Sequence, residues 1–208
     1  MFLVVGIEFS ISPTLPIEAG CPMYGLVHTA IQDMIVSDHG EETWNRIRKQ
    51  ADVSDDAFLA TQNYDDSIVL DLVAAASDSL DITAIECLDA FGQFWISDIA
   101  VKHYRAMLDG FGSDIFGFLE NLDHMHDRIS GTFLNYNAPS FRLERNEDGI
   151  HFLHYRSNRQ GLTPFVIGLL KGLAIHFNTA LDIAVAAEES SDAGQHTIFR
   201  LTVNNVGG

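Results

Sequence analysis

The sequence predicts an α+β protein, with an N-terminal helical bundle followed by a four-stranded antiparallel sheet into which one helix is inserted. Three observations predict it. Apolar residues recur at helical spacing as far as Ile129, the period changes to two after Pro139, and helices precede strands instead of alternating with them.

The elements follow in order. From Met23, residues Val27, Ala30, Ile31, Met34 and Ile35 fall on one helical face, and Gly40 supplies a stop signal. A short helix from Glu42 to about Ala51 comes next. Asp66-Ser67 leads into IVLDLVAAAS, a third helix, and Thr83 with Glu86 forms a capping-box pattern that opens a fourth through Cys87, Phe91 and Phe94. A further helix covers Ile99 to Leu108. Asp114 caps a long one with Ile115, Phe118, Leu119, Leu122, Met125, His126 and Ile129 on one stripe. Beyond Pro139, FRLER, the turn signal Asp148-Gly149 and IHFLHYRS read as a hairpin. Thr163 and Pro164 have the cap and first-turn chemistry of a helix running to about Asn178. LDIAVAA and HTIFRLTV, separated by a polar loop, complete the sheet.

Composition excludes several classes of function. The chain has 208 residues, enough for one sizeable domain, and no apolar run approaches the roughly 20 residues of a membrane-spanning helix. Acidic residues outnumber basic ones 29 to 12, and the resulting charge of −17 repels phosphate backbones and anionic lipid surfaces alike. Nucleic-acid and membrane roles are disfavoured. Two cysteines, Cys21 and Cys87, are too few for a disulfide framework or thiolate cluster, which fits a reducing, cytoplasmic setting. Residues 1–22 lack Lys and Arg and do not form a secretory signal. They are expected to be a mis-assigned start or a disordered extension, with Met23 the natural start of a single domain over 23–205.

Among the 9 histidines the densest cluster is His124-Met125-His126-Asp127. On a helix, residues two apart lie about 200° apart, so His124 and His126 cannot share one metal. His126 falls on the apolar stripe and His124 on the polar side with Asn121 and Arg128. A lone imidazole on an apolar face is read either as a hydrogen-bonded core histidine or as the axial ligand of a haem. Haem also needs a clamp for its two propionates. If Tyr155-Arg156-Ser157-Asn158-Arg159 is extended, then Tyr155, Ser157 and Arg159 share one face and bring together a phenol, a hydroxyl and a guanidinium. A solvated strand end explains the same spacing.

Several ordered motifs match a known family together. Met23-Tyr24-Gly25, Tyr64-Asp65-Asp66-Ser67, Asp71 to Ser77, Asn121-Leu122-Asp123 leading to His126, Asn137 to Arg142, and Tyr155-x-Ser157-x-Arg159 resemble the H-NOX family, the haem nitric oxide/oxygen-binding domains. The resemblance runs from Met23 almost to the C-terminus and implies one haem b held between the helical and sheet parts. It implies His126 as proximal iron ligand, Tyr155, Ser157 and Arg159 on the propionates, Asp66 holding Arg159, and Pro139 pressing on the haem face. The tyrosine that donates to oxygen in oxygen-holding members has Pro164 at its position here. With Phe165, Ile167, Leu169 and Val27 this implies an apolar distal wall, and Gly168 and Gly172 allow close backbone approach to haem or to a neighbouring helix.

The function expected from the resemblance is a ferrous-haem sensor of nitric oxide, with CO as a second ligand, that excludes O2. Its signal is expected to arise as the His126–iron bond weakens and the helix shifts, and to pass to a separate histidine kinase or diguanylate cyclase/phosphodiesterase. Tyr24 or Trp95 could restore a distal donor. Two rivals are a metal-dependent hydrolase using His124, His126 and Asp127 with His151 and His154, and a cofactor-free interaction module.

Overall fold

A computed structural model describes residues 23–54, 58–59, 62–130, 138–146 and 149–204, apart from the side chains of Met23, Tyr24 and Asn63. The chain opens with a two-residue strand, β1 (Met23–Tyr24), paired antiparallel with β2 (Asn63–Tyr64). Between them runs α1 (Gly25–Gln50), two helical stretches that meet at Gly40, whose φ +82° and ψ 164° are not helical, so the break falls where the stop signal placed it. α2 (Ser67–Leu80) and α3 (Ala84–Phe94) follow, and at α3 both halves of the Thr83/Glu86 capping box form. Apolar faces of α1, α2 and α3 meet in one core that includes Ile35, Ile47, Leu72 and Phe91.

The helix expected from Ile99 begins earlier. A π-helical segment, Trp95–Ala100, continues α3 directly into α4 (Val101–Gly110), and Tyr104 inside α4 departs from helical geometry at φ −130°. The long helix expected after Asp114 is two helices, α5 (Ile115–Glu120) and α6 (Leu122–Ser130). Asp114 caps the first as expected, through the amides of Phe116 and Gly117. The break falls at Asn121, whose side-chain amide donates to the carbonyls of Phe111 and Gly117. A side chain that bonds nearby backbone in this way competes with continued helix.

The sheet has the order β3 (Ser140–Glu144), β4 (Ile150–Ser157), β6 (Gly194–Val203), β5 (Leu181–Ser191), antiparallel throughout. Asp148 of the expected turn lies outside the described residues; Gly149 adopts φ +77°. The polar stretch expected as a loop between the last two strands belongs mostly to the strands, leaving only Asp192 and Ala193 between them. α7 (Thr163–His176) crosses between the strand pairs. Leu162 takes the cap position in place of Thr163, which becomes the first helical residue and makes its side-chain bonds elsewhere.

One sheet face, with Phe141, Leu153, Tyr155, Phe199 and Leu201, packs on α5, α6 and α7 to form a second core. The mixed α+β order read from the sequence is the observed architecture. The two cores meet along α3, the π segment and α7, and the functional cavity opens between them.

Candidate functional site

A cavity of about 550 Å3 lies between the helical part and the sheet, lined from the first core by Val69, Leu88 and Phe91 and from the second by Phe118, Leu119 and Leu170. That volume falls within the roughly 300–1,000 Å3 of small-molecule and cofactor sites. Its lining is largely aliphatic and aromatic, and its few polar groups include those singled out by sequence.

His126 is one of them. It sits on α6, whose inward positions Leu122, Met125 and Ile129 also line the cavity, while His124 is exposed on the opposite side. Burial holds the imidazole below its ordinary pKa; the carboxylate of Asp123, a backbone hydrogen bond with Pro139 and the carboxylate of Asp127 oppose this. Proline has no N–H, so the Pro139 partner is its carbonyl and His126 is the donor. A neutral imidazole with one nitrogen so engaged is the form that binds a metal through the other. Pro139 lines the same cavity.

Asp123, which the sequence reading passed over as part of a motif, fixes this corner. Its two carboxylate oxygens accept from the Phe141 amide at 2.6 Å and the Ser140 hydroxyl at 3.1 Å. The start of β3, immediately after Pro139, is thereby tied to α6 one helical turn before His126. An Asp three residues ahead of His126 was the available signal.

The polar triad converges as strand alternation predicts. Tyr155 and Ser157 are buried on the inner face of β4, with Arg156 exposed between them, and Arg159 follows just past the strand end; all three triad members line the cavity. Ser157 Oγ accepts from the Arg159 amide at 3.0 Å. Burial raises the Tyr155 pKa, with Ser157 and the Arg159 charge pulling it down and Glu188 raising it further, so the phenol remains a donor at neutral pH. Arg159 Nε donates to Asp66 Oδ2 at 2.8 Å, and both side chains are more than four-fifths buried. This pair explains why Asp66, at the cap position of α2, makes no cap bond; Asp65 supplies one to the Ser67 amide instead.

Val27 and Phe165 line the cavity, with Leu162, Val166 and Leu169 beside Phe165. Pro164 and Gly168, expected beside the cofactor, are not among the lining residues. The reason at Gly168 is helix packing. A Cβ there would lie 2.1 Å from the Asp89 carbonyl oxygen, and one at Gly172 would lie 2.7 Å from Ile96 Cβ, so both serve the approach of α7 to α3 and the π segment. Trp95 does line the cavity, as do two residues sequence reasoning missed, Tyr104 and Arg128. Neither carried a periodic signal: Tyr104 breaks helical geometry, and Arg128 is exposed on α6 with its guanidinium over the Phe111 ring. The side chain of Tyr24 lies outside the described residues.

Among the described residues no three His, Cys, Asp or Glu side chains converge to hold a metal ion, so the ligand set of the hydrolase alternative does not come together. His124 and His126 point apart, and His151 and His154 are engaged on the sheet, with the Asn146 amide and with His196 respectively. No helix among the described residues is long and apolar enough to cross a membrane.

One neutral imidazole and a cationic, hydroxyl-bearing clamp set around an apolar chamber fit a flat apolar cofactor with acidic side groups, and so define a cofactor-holding type of domain. The Haem-NO-binding family profile matches residues 24–185, and the chain belongs to that family. Members of the family are haem-binding gas-sensor domains, without catalytic function of their own, related to those of soluble guanylate cyclases. Soluble guanylate cyclase 89Db of Drosophila melanogaster is 28% identical over 170 residues, covering 82% of this chain and 25% of its own length. The beta-2 subunit of the human soluble guanylate cyclase is 39% identical over 101 residues, 46% of this chain and 16% of that subunit. The chain thus spans about a quarter of the length of the first of these relatives. Among solved structures, an H-NOX protein from S. oneidensis in the Fe(II)NO ligation state superimposes with TM-score 0.77 at 22% identity, covering 88% of this chain and 100% of that one. An oxygen-binding H-NOX domain in its oxygen complex superimposes with TM-score 0.75 at 16% identity, over 88% of this chain and 96% of that one.

Proposed function

We propose that the domain holds one haem b, ferrous in the sensing state, and reports nitric oxide while excluding O2. The observation that carries this reading is the single cavity that unites neutral His126 with the Tyr155, Ser157 and Arg159 clamp. His126 is the iron ligand, Tyr155 and Ser157 donate hydroxyls to the propionates, and Arg159, held by Asp66, supplies their countercharge. Pro139 presses on the cofactor, its carbonyl engaged with His126.

When bound, haem supplies the gas-binding iron, where oxygen gains from a hydrogen-bond donor and nitric oxide needs none. The chain's own contribution is the wall. Leu162, Phe165, Val166 and Leu169 offer no donor, and Val27 extends the apolar surface from α1. CO is a second ligand on the same grounds. A competing oxygen-sensing reading rests on Trp95 and Tyr104, whose N–H and O–H lie on side chains that also line the cavity. Both ligands occur on solved proteins of this fold.

A change at His126 passes to α6, and through Asp123 to β3. That is the bistable type of element a ligand can bias. The receiver of the signal is read as a separate histidine kinase or diguanylate cyclase/phosphodiesterase, as the family resemblance implies.

The test is the absorption spectrum of anaerobically reduced, haem-loaded protein, before and after air and then nitric oxide. A spectrum that ignores air and shifts with nitric oxide is expected. A lasting change in air overturns the exclusion of oxygen, and no haem uptake on reconstitution overturns the sensor reading altogether.

A further inference from the structure

The inner face of the sheet carries a second polar group, directly beside the clamp. Phe141, Tyr155, Thr197 and Glu188 are successive cross-strand partners in one row, and Ser157, Gln195 and Ser190 form the next. Thr163 Oγ1 donates to Glu188 Oε2 at 2.6 Å, and Thr197 Oγ1 donates to the same oxygen at 3.3 Å. Gln195 Nε2 donates to both threonine oxygens, at 2.6 and 3.1 Å, while its Oε1 accepts from the Gly161 amide at 2.9 Å. The two threonine oxygens also lie 3.1 Å apart; with the Gln195 amide donating to each, the Thr163 proton is left for Glu188 and the Thr197 proton is shared between Thr163 Oγ1 and Glu188. Either way the chain of bonds runs in one direction and ends on an acceptor, the Glu188 carboxylate.

Glu188 reaches this place because of a bulge. Before it, Val185 pairs with Phe199 on the inner face; after it, Ala187 pairs with Ile198 and Glu188 with Thr197. Strict alternation from Leu181, Ile183 and Val185 would turn Glu189 inward and Glu188 out. The extra residue reverses the phase and re-aims one carboxylate. A Glu on an exposed edge strand ordinarily serves only to keep other strands away, but that role requires no inward turn and no directed bonds.

The segment this group holds is the link between clamp and wall. Between Ser157 and α7 the chain passes Arg159 of the clamp, then Gly161, then Leu162 and Thr163, and both Gly161 and Thr163 are bonded into the network. α7 has no side-chain cap of its own; the negative charge at its first turn comes from β5 instead. The Glu188 charge is also felt at the Tyr155 phenol.

From this geometry we infer that Glu188 is a positioning residue: through Thr163, Gln195 and Thr197 it locks the cavity-lining start of α7 to the Tyr155–Ser157–Arg159 clamp and places a negative charge beside the propionate end of the site. The charge part rests on the haem reading; the mechanical part stands without it.

The experiment compares E188Q, T163V and the double variant E188Q/T163V with the parent. Amide hydrogen exchange is followed at Gly161 and at Val166, whose N–H makes the first backbone bond of α7, to the Leu162 carbonyl. Each single variant is expected to speed exchange roughly fivefold, as the loss of about one hydrogen bond implies, and the double variant to add little. Reduction potential is then measured on haem-loaded protein. Removing a carboxylate raises it in E188Q, whereas T163V, which loosens the helix but keeps the charge, leaves it in place. Unchanged exchange in E188Q, or effects that multiply in the double variant, overturns the lock; an unmoved potential in E188Q overturns the charge. If the parent takes up no haem, the sensor reading fails while the exchange results still decide the lock.

Discussion

At the scale of single residues, the site is built from side chains whose states are fixed by what surrounds them. His126 is kept neutral by burial, and Tyr155 is kept protonated by the same cause. Replacing His126 by Gly should sever the protein from its cofactor, and added imidazole should restore the parent's absorption spectrum; unaltered spectra in the variant would refute the assignment. Arg159 depends on Asp66 in a pair sheltered from solvent on both sides. Asp66→Asn should therefore lower stability by about 1.5–3 kcal/mol, the range for a hydrogen bond to a charged group, and speed haem transfer to an acceptor protein. Calorimetry and the transfer rate test the two halves separately. These residues were legible in the sequence because each rests on a local rule: helical phase for His126, strand alternation for Tyr155, Ser157 and Arg159. Glu188 was not legible, because a bulge changes phase without leaving a mark in the pattern. Pro164 and Gly168 do not line the cavity, since position along a helix does not say which neighbour the helix presents that face to.

At the scale of elements, the capping box at Thr83 and the period change after Pro139 mark real boundaries, whereas the π segment and the break at Asn121 were invisible. Both are departures from a pattern that apolar spacing continues straight through. The contact between α3 and α7 is close enough that Gly168→Ala should force backbone apart and cost about 1–3 kcal/mol or more, read as a fall in the unfolding midpoint. A second prediction concerns the outer face of the sheet. His154 bonds to His196 at 3.1 Å, and burial, with Arg142, His196 and Arg156, keeps its pKa below the usual value. Its unfolded counterpart gains a proton as pH falls through about 6.5, so the unfolded state binds more protons there and stability declines toward acid. Replacing His154 by Gln should flatten that part of the stability–pH curve, measured by denaturant titration between pH 7 and 5.

At the scale of the whole molecule, two cores are stacked with the cavity between them, which is why one chamber is reached by residues from every helix described. The overall mixed architecture followed from element order alone. The net charge of −17 sets a further expectation. Self-repulsion opposes the compact state, so raising ionic strength from low salt to about 0.15 M should raise the melting temperature; a fall would show that attractive pairs such as Arg145–Glu120 and Lys171–Asp89 dominate.

The break at Asn121 bears on how far a signal can travel. An unbroken helix from Ile115 would join His126 to Phe118 and Leu119 in one rigid rod, whereas two helices are coupled only through the break and through the packing of Leu122 and Met125 in the shared core. The nine-residue α6 is instead a short lever about 13 Å long, hinged at Asn121 and latched to the sheet by Asp123. A displacement at His126 therefore has to repack Leu122 and Met125, which share that core, but it is not transmitted to Phe118 and Leu119 along one continuous helical backbone.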